Sequence, residues 1–138
     1  MKKISILFCG ILIAGTITAQ ELRNSSGSYI GTVENDGTVR NESGSYRGKF
    51  DSDGTIRNGS GSYVGHIDAD GTIRNSSGSY MGQVSDNGDV RNASGSYTGS
   101  ISTDGDVRND SGSYVGSAKG VNRAQAACLF FFFNMETW

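Results

Sequence analysis

The chain has 138 residues, 14 acidic against 12 basic side chains, 21 glycines, two cysteines, one histidine and no proline. A net charge of −2 with no cluster of lysine or arginine offers no electrostatic footprint for nucleic acid, which is excluded as a partner. The length suits one domain, and with a single histidine there is little for metal or acid–base chemistry to use.

Lys2 and Lys3 precede an apolar run from Ile4 to Ile17, and Ala19 supplies a small residue before Gln20. This pattern predicts a secretory signal peptide over residues 1–19, cleaved after Ala19. A membrane-spanning helix needs about 20 apolar residues. This run has 14, with Gly10, Gly15 and Thr16 inside it. No transmembrane segment is expected after cleavage, and the product is expected to be secreted or to reside in the periplasm or cell envelope. Cleavage also leaves Cys128 as the sole cysteine, so no intramolecular disulfide can form.

From residue 20 to 121 the chain is a repeat domain. The phrase Arg-Asn-x-Ser-Gly-Ser-Tyr-x-Gly begins at Arg23, Arg40, Arg57, Arg74, Arg91 and Arg108, a period of 17 residues. Consecutive phrases are joined by five linking segments: Val33 to Val39, Phe50 to Ile56, Ile67 to Ile73, Val84 to Val90 and Ile101 to Val107. A unit this short cannot bury its own apolar face and must stack on its copies. Within a unit, Tyr46, Gly48 and Phe50 alternate with Ser45, Arg47 and Lys49, the period of a half-buried strand. Asp-Gly and Asn-x-Ser-Gly segments then supply the turns of short hairpins.

Strict alternation puts Tyr29, Tyr46, Tyr63, Tyr80, Tyr97 and Tyr114 on the inward face with the glycine two residues later. The tyrosines are therefore read as core, in preference to a row of exposed sugar-stacking platforms. The glycine leaves room for an aromatic ring or a neighbouring backbone. Even so the repeat core is thin, which points to the last segment, residues 122–138. Its apolar stretch from Ala124 to Phe133 is too short for a bilayer and hazardous if exposed, and so is expected to plug or cap the array.

The polar residues carry little catalytic chemistry. Asp51-x-Asp53-Gly54 and Asp68-x-Asp70-Gly71 lack the first and twelfth ligands of a calcium loop, so these segments read as turns. His66 stands at an outward position filled elsewhere by Thr32, Lys49 or Gln83, and no serine has a histidine partner to activate it. Neither an enzyme nor a bound cofactor is expected. Arg23, Arg40, Arg57, Arg74, Arg91 and Arg108 are the candidate ligand-facing residues, able to form a belt for carboxylates or acidic glycans. The competing reading pairs each with an acid of a nearby turn, such as Asp36 or Asp53.

The repeat Ser-Gly-Ser-Tyr-x-Gly-x-Val-x-x-Asp-Gly-Thr-Val, followed by Ala118-Lys119-Gly120-Val121 and a phenylalanine run, resembles the 5-fold β-flower proteins of Bacteroidetes-type bacteria. The resemblance covers essentially the whole chain after residue 19. It implies an all-β fold in which 17-residue hairpin repeats form a closed five-fold array, five petals with the sixth phrase ending it, and a Phe-rich C-terminal segment packed on the array. It implies no activity. The expected function is that of an exported, non-catalytic structural or binding module whose partner is a glycan or cell-envelope component. A multivalent glycan-binding or adhesive module and an open β-solenoid that assembles into fibres are the alternatives.

Overall fold

The computed structural model describes residues 20–134 and Trp138; the signal-peptide reading of residues 1–19 lies outside them. Twelve short strands alternate with tight turns: β1 (Glu21–Asn24), β2 (Tyr29–Val33), β3 (Thr38–Asn41), β4 (Tyr46–Phe50), β5 (Thr55–Asn58), β6 (Tyr63–Ile67), β7 (Thr72–Asn75), β8 (Tyr80–Val84), β9 (Asp89–Asn92), β10 (Tyr97–Ile101), β11 (Asp106–Asn109) and β12 (Tyr114–Ala118). Each pairs antiparallel with its sequence neighbours, and β12 pairs with β1, closing a barrel. A short helix, α1 (Arg123–Ala127), runs into a π-helical turn, Cys128–Phe132.

Both turns of the unit are built the same way. In the phrase turn the Gly27 amide donates to the Asn24 carbonyl (3.0 Å), and the Asn24 amide donates to the Ser28 carbonyl (3.0 Å). Gly27 sits at φ +83° with open space around it, so conformation alone demands glycine there. The linking turn repeats this pattern: Gly37 donates to Glu34 and Glu34 to Thr38. A single residue at positive φ after a type I turn is the standard geometry for a three-residue hairpin loop.

One residue of each unit breaks the alternation. Leu22 pairs with Gly31, but the next step pairs Arg23 with Tyr29, leaving Ile30 as an extra residue in β2. The same register shift recurs between Val39 and Arg40, Ile56 and Arg57, Ile73 and Arg74, and Val107 and Arg108, and opposite β9 between Tyr97 and Gly99. A β-bulge inverts the phase of whatever precedes it. The six tyrosines consequently lie on the outer face, 37–43% exposed, and their assignment to the core is corrected. The glycine and the aliphatic positions keep the inward face.

The core is two rows of apolar residues, aliphatic but for Phe50, facing each other across the linked strand pairs: Val33 with Val39, Phe50 with Ile56, Ile67 with Ile73, Val84 with Val90 and Ile101 with Val107. Ala118 facing Leu22 completes the rows at the seam, in the same register. The closed hairpin array implied by the family resemblance is therefore present, with a correction to the petal count. The sixth phrase does not terminate a ring of five; its strand β12 pairs with β1 of the first phrase to make the sixth junction, the one that has no linker. With every strand paired on both sides, the open solenoid is also excluded.

The C-terminal segment fills the lumen. Asn122 caps α1 by accepting the Gln125 amide, and the Arg123 guanidinium donates to the Asp86 carbonyl (2.8 Å), pinning the helix start to a linking turn. Ala126, Ala127 and Cys128 are fully buried in the aliphatic core, where only small side chains fit beside a helix backbone. Burial pushes the Cys128 thiol well above its usual pKa, so it packs as a small apolar group. The phenylalanines follow at the level of the glycine row. A Cβ placed on Gly116, Gly99, Gly82 or Gly65 would fall 2.6 or 2.7 Å from the rings of Phe130, Phe131, Phe132 and Phe133 respectively, and on Gly48 it would fall 2.5 Å from Trp138. Consecutive tail residues thus rest on glycines 17 residues apart, stepping backwards round the ring.

The π-helix suits that task. An α-helix rotates each side chain by about 100°, whereas six equivalent glycines lie about 60° apart. Widening the turn to i→i+5 bonding lowers the rotation per residue towards the spacing of the ring.

Candidate functional site

Among the described residues, the outer face near the phrase turns carries the only side chains that are aromatic, exposed and repeated in every unit. Each tyrosine lies directly across a strand pair from the arginine of its own phrase, as with Arg57 and Tyr63 or Arg74 and Tyr80. The phrase turn beside them is rigid. The Asn58 side-chain oxygen accepts the amides of Ser60 (3.1 Å) and Ser62 (3.0 Å), and Asn75, Asn92 and Asn109 do the same in their units. This is why asparagine follows arginine in each phrase: a short side-chain carbonyl can replace a missing backbone acceptor inside the turn.

The arginines are held from two sides. In all six units one guanidinium nitrogen donates to the glycine carbonyl of the phrase turn, at 2.9–3.2 Å. In three units the Nε edge also meets a carboxylate six residues earlier: Arg40 with Glu34 (3.1 Å), Arg57 with Asp51 (3.1 Å) and Arg74 with Asp68 (2.9 Å). Arg23 instead pairs with Glu21 (2.6 Å). The expectation of an acid from a nearby turn holds for Arg40, Arg57 and Arg74, though the acid is the first residue of the linking turn, whereas Glu21 lies within β1 itself. Asp36 and Asp53 accept the amides of Thr38 and Thr55 (both 3.0 Å) inside the linking turn. Those amide hydrogen bonds hold both carboxyls below the usual value of 3.8. The Asp68 carboxyl is lowered chiefly by its hydrogen bond from Arg74.

His66 has a carboxylate neighbour that the sequence reading missed. Its Nδ1 lies 3.0 Å from an Asp68 carboxylate oxygen and its Nε2 3.0 Å from the Asp53 carbonyl. Two residues two apart along a strand, here His66 and Asp68 just past the end of β6, share a face, which was the available signal. A cleft of about 440 Å³ runs between α1 and the linking turns here, past Asp36, Asp53, His66, Asn122 and Gln125. Within it Asp36 and Asp53 are committed to turn amides, Asn122 to the α1 cap, and His66 to Asp68 and the Asp53 carbonyl. Among the described residues no group of three metal-binding side chains gathers there or elsewhere.

Among the described residues no helix is long and apolar enough to cross a membrane. The strands, at four or five residues, are well short of the ~9–11 that a membrane-spanning strand requires.

Compared with known proteins, the chain matches a family model described as 5-fold beta-flower protein over residues 15–134. That span takes in all twelve strands and the phenylalanine run, and the chain belongs to this family. No curated protein and no solved structure is matched.

Proposed function

We propose that this member of the 5-fold β-flower family is an exported, non-catalytic binding module that engages a repetitive partner, a glycan or other cell-envelope polymer, through its outer face. The observation that carries the reading is the ring of six exposed tyrosines, each fixed beside an arginine and an ordered Asn-x-Ser-Gly-Ser turn. Flat aromatic faces next to hydroxyl and amide groups suit the apolar faces and hydroxyls of sugars, and repetition around a ring makes weak contacts multivalent. Export rests on the charged start, apolar run and Ala19 of the N-terminal segment. The fibre-forming alternative is disfavoured because the closed barrel offers no unpaired strand edge for stacking.

A polysaccharide array probed with the wild type and with the triple variant Tyr46→Ala/Tyr63→Ala/Tyr80→Ala tests this. The wild type should be retained by at least one polymer. The variant should lose that retention while keeping its circular dichroism spectrum. Equal retention of the two proteins would overturn the reading.

A further inference from the structure

The six arginine sites are not equivalent. Glu34, Asp51 and Asp68 recur at the 17-residue period, but the next two positions in the series are Ser85 and Ser102. Arg91 and Arg108 keep the hydrogen bond to their turn carbonyls, Gly95 (3.2 Å) and Gly112 (3.1 Å). Among the described residues no carboxylate lies within ion-pair distance of either. Each guanidinium instead lies over the tyrosine opposite, 5.9 Å from the Tyr97 ring centre and 6.0 Å from that of Tyr114.

From this we infer that Arg91 with Tyr97 and Arg108 with Tyr114 form a paired binding site for carboxylates on an acidic polysaccharide, a polyuronate. The proposal rests on the outer-face reading above and names its ligand class. The protein's own ion pairs supply the template. In three other units a carboxylate docks on the Nε edge while the opposite edge of the guanidinium holds the turn carbonyl. At Arg91 and Arg108 the turn side is fixed in the same way, so the guanidinium is preoriented and its carboxylate slot is open. A carboxylate entering from outside would make the charge-assisted contact that Glu34 makes internally. The adjoining tyrosine would then stack on the sugar ring.

The two sites belong to β9 and β11, which lie on either side of β10. Strands two apart are separated by about 10 Å, so one polymer bearing carboxylates at regular intervals can engage both. Asp89 and Asp106 stand where three other units have Thr38, Thr55 and Thr72 and the first has Glu21, the partner of Arg23. They share the outer face and oppose an anion, and Asp106 is drawn towards Lys119 at 3.9 Å. They set a ceiling on affinity that substitution can raise.

Isothermal titration of the mature protein at low salt with polygalacturonate and with its methyl ester, which lacks the charge, tests the site. Arg91→Gln/Arg108→Gln should weaken binding of the free acid about tenfold, one lost charge-assisted contact or more, and leave the ester unaffected. Arg40→Gln/Arg57→Gln, which removes arginines already paired internally, should change neither by more than about twofold. Asp89→Thr/Asp106→Thr should tighten binding of the acid. Wild-type-like binding by the Arg91/Arg108 variant, an equal loss in the Arg40/Arg57 variant, or no binding of polygalacturonate by the wild type would each overturn the proposal. If the ester binds, the acid gains nothing and the Tyr46/Tyr63/Tyr80 variant abolishes binding, the outer-face reading stands and the carboxylate site falls. If acid binding survives the tyrosine substitutions but not those of Arg91 and Arg108, the carboxylate site stands and the wider ring reading falls.

Discussion

Tyr63 and Ile56 differ by one inserted residue's worth of geometry. Both sit in regular, strongly patterned strands, and strict alternation assigns them to the same face. The bulge at Val64 separates them, placing Ile56 fully inside and leaving Tyr63 42% exposed. Ile56→Ala should therefore cost about 2–5 kcal/mol, as for a deleted core aliphatic. Tyr63→Ala, which removes an outer-face contact, should cost about 1 kcal/mol or less. Urea titrations of the two variants measure the difference, and equal losses would return the tyrosines to the core. The bulge was illegible because the residue it inserts varies freely, Ile30, Val64, Met81 or Thr98, and so carries no signature in composition. The acidic partners of the arginines were partly legible. An Asp-Gly turn announces itself, but whether Glu34 or Asp36 reaches Arg40 depends on how the turn points its first and third side chains, which spacing does not reveal.

At the scale of elements, the tail and the glycine row form one interlocking unit. The sequence reading anticipated that Ala124 to Phe133 must be buried and that the glycine two residues after each tyrosine makes room for an aromatic ring. It did not connect the two, because the phenylalanines lie next to one another in sequence while their glycines lie 17 residues apart. A π-helix is what reconciles those spacings, and no local residue preference predicts one. Gly82→Ala should lose about 1–3 kcal/mol, since the added methyl would press on both the Arg91 carbonyl and the Phe132 ring. Phe132→Ala alone should also destabilise. The double variant should cost clearly less than the sum of the two, because removing the ring relieves part of the methyl's clash. Additive losses would show that the ring does not rest on that glycine.

At the scale of the molecule, closure is the property on which the rest depends. A closed barrel holds a lumen of fixed width, and that width accommodates a helix backbone flanked by Ala126, Ala127 and Cys128. The resemblance carried by the repeat and the phenylalanine run implied a closed array, whereas the period alone requires only that units stack and leaves an open solenoid possible. The number of hairpins was not, because counting linkers gives five and the sixth junction is made by two strands with 89 residues between Asn24 and Tyr114. That seam is the one junction without a connecting turn, held by the Leu22–Ala118, Arg23–Ser117 and Asn24–Gly116 register. Native-state hydrogen exchange resolved by residue tests it most directly. In a closed barrel the ladder amides of β1 and β12 should exchange within about tenfold of their equivalents in β6 and β7, since each strand is paired on both sides. Exchange of β1 and β12 at the rate of free sheet edges, with β6 and β7 still protected, would contradict the closed six-hairpin ring.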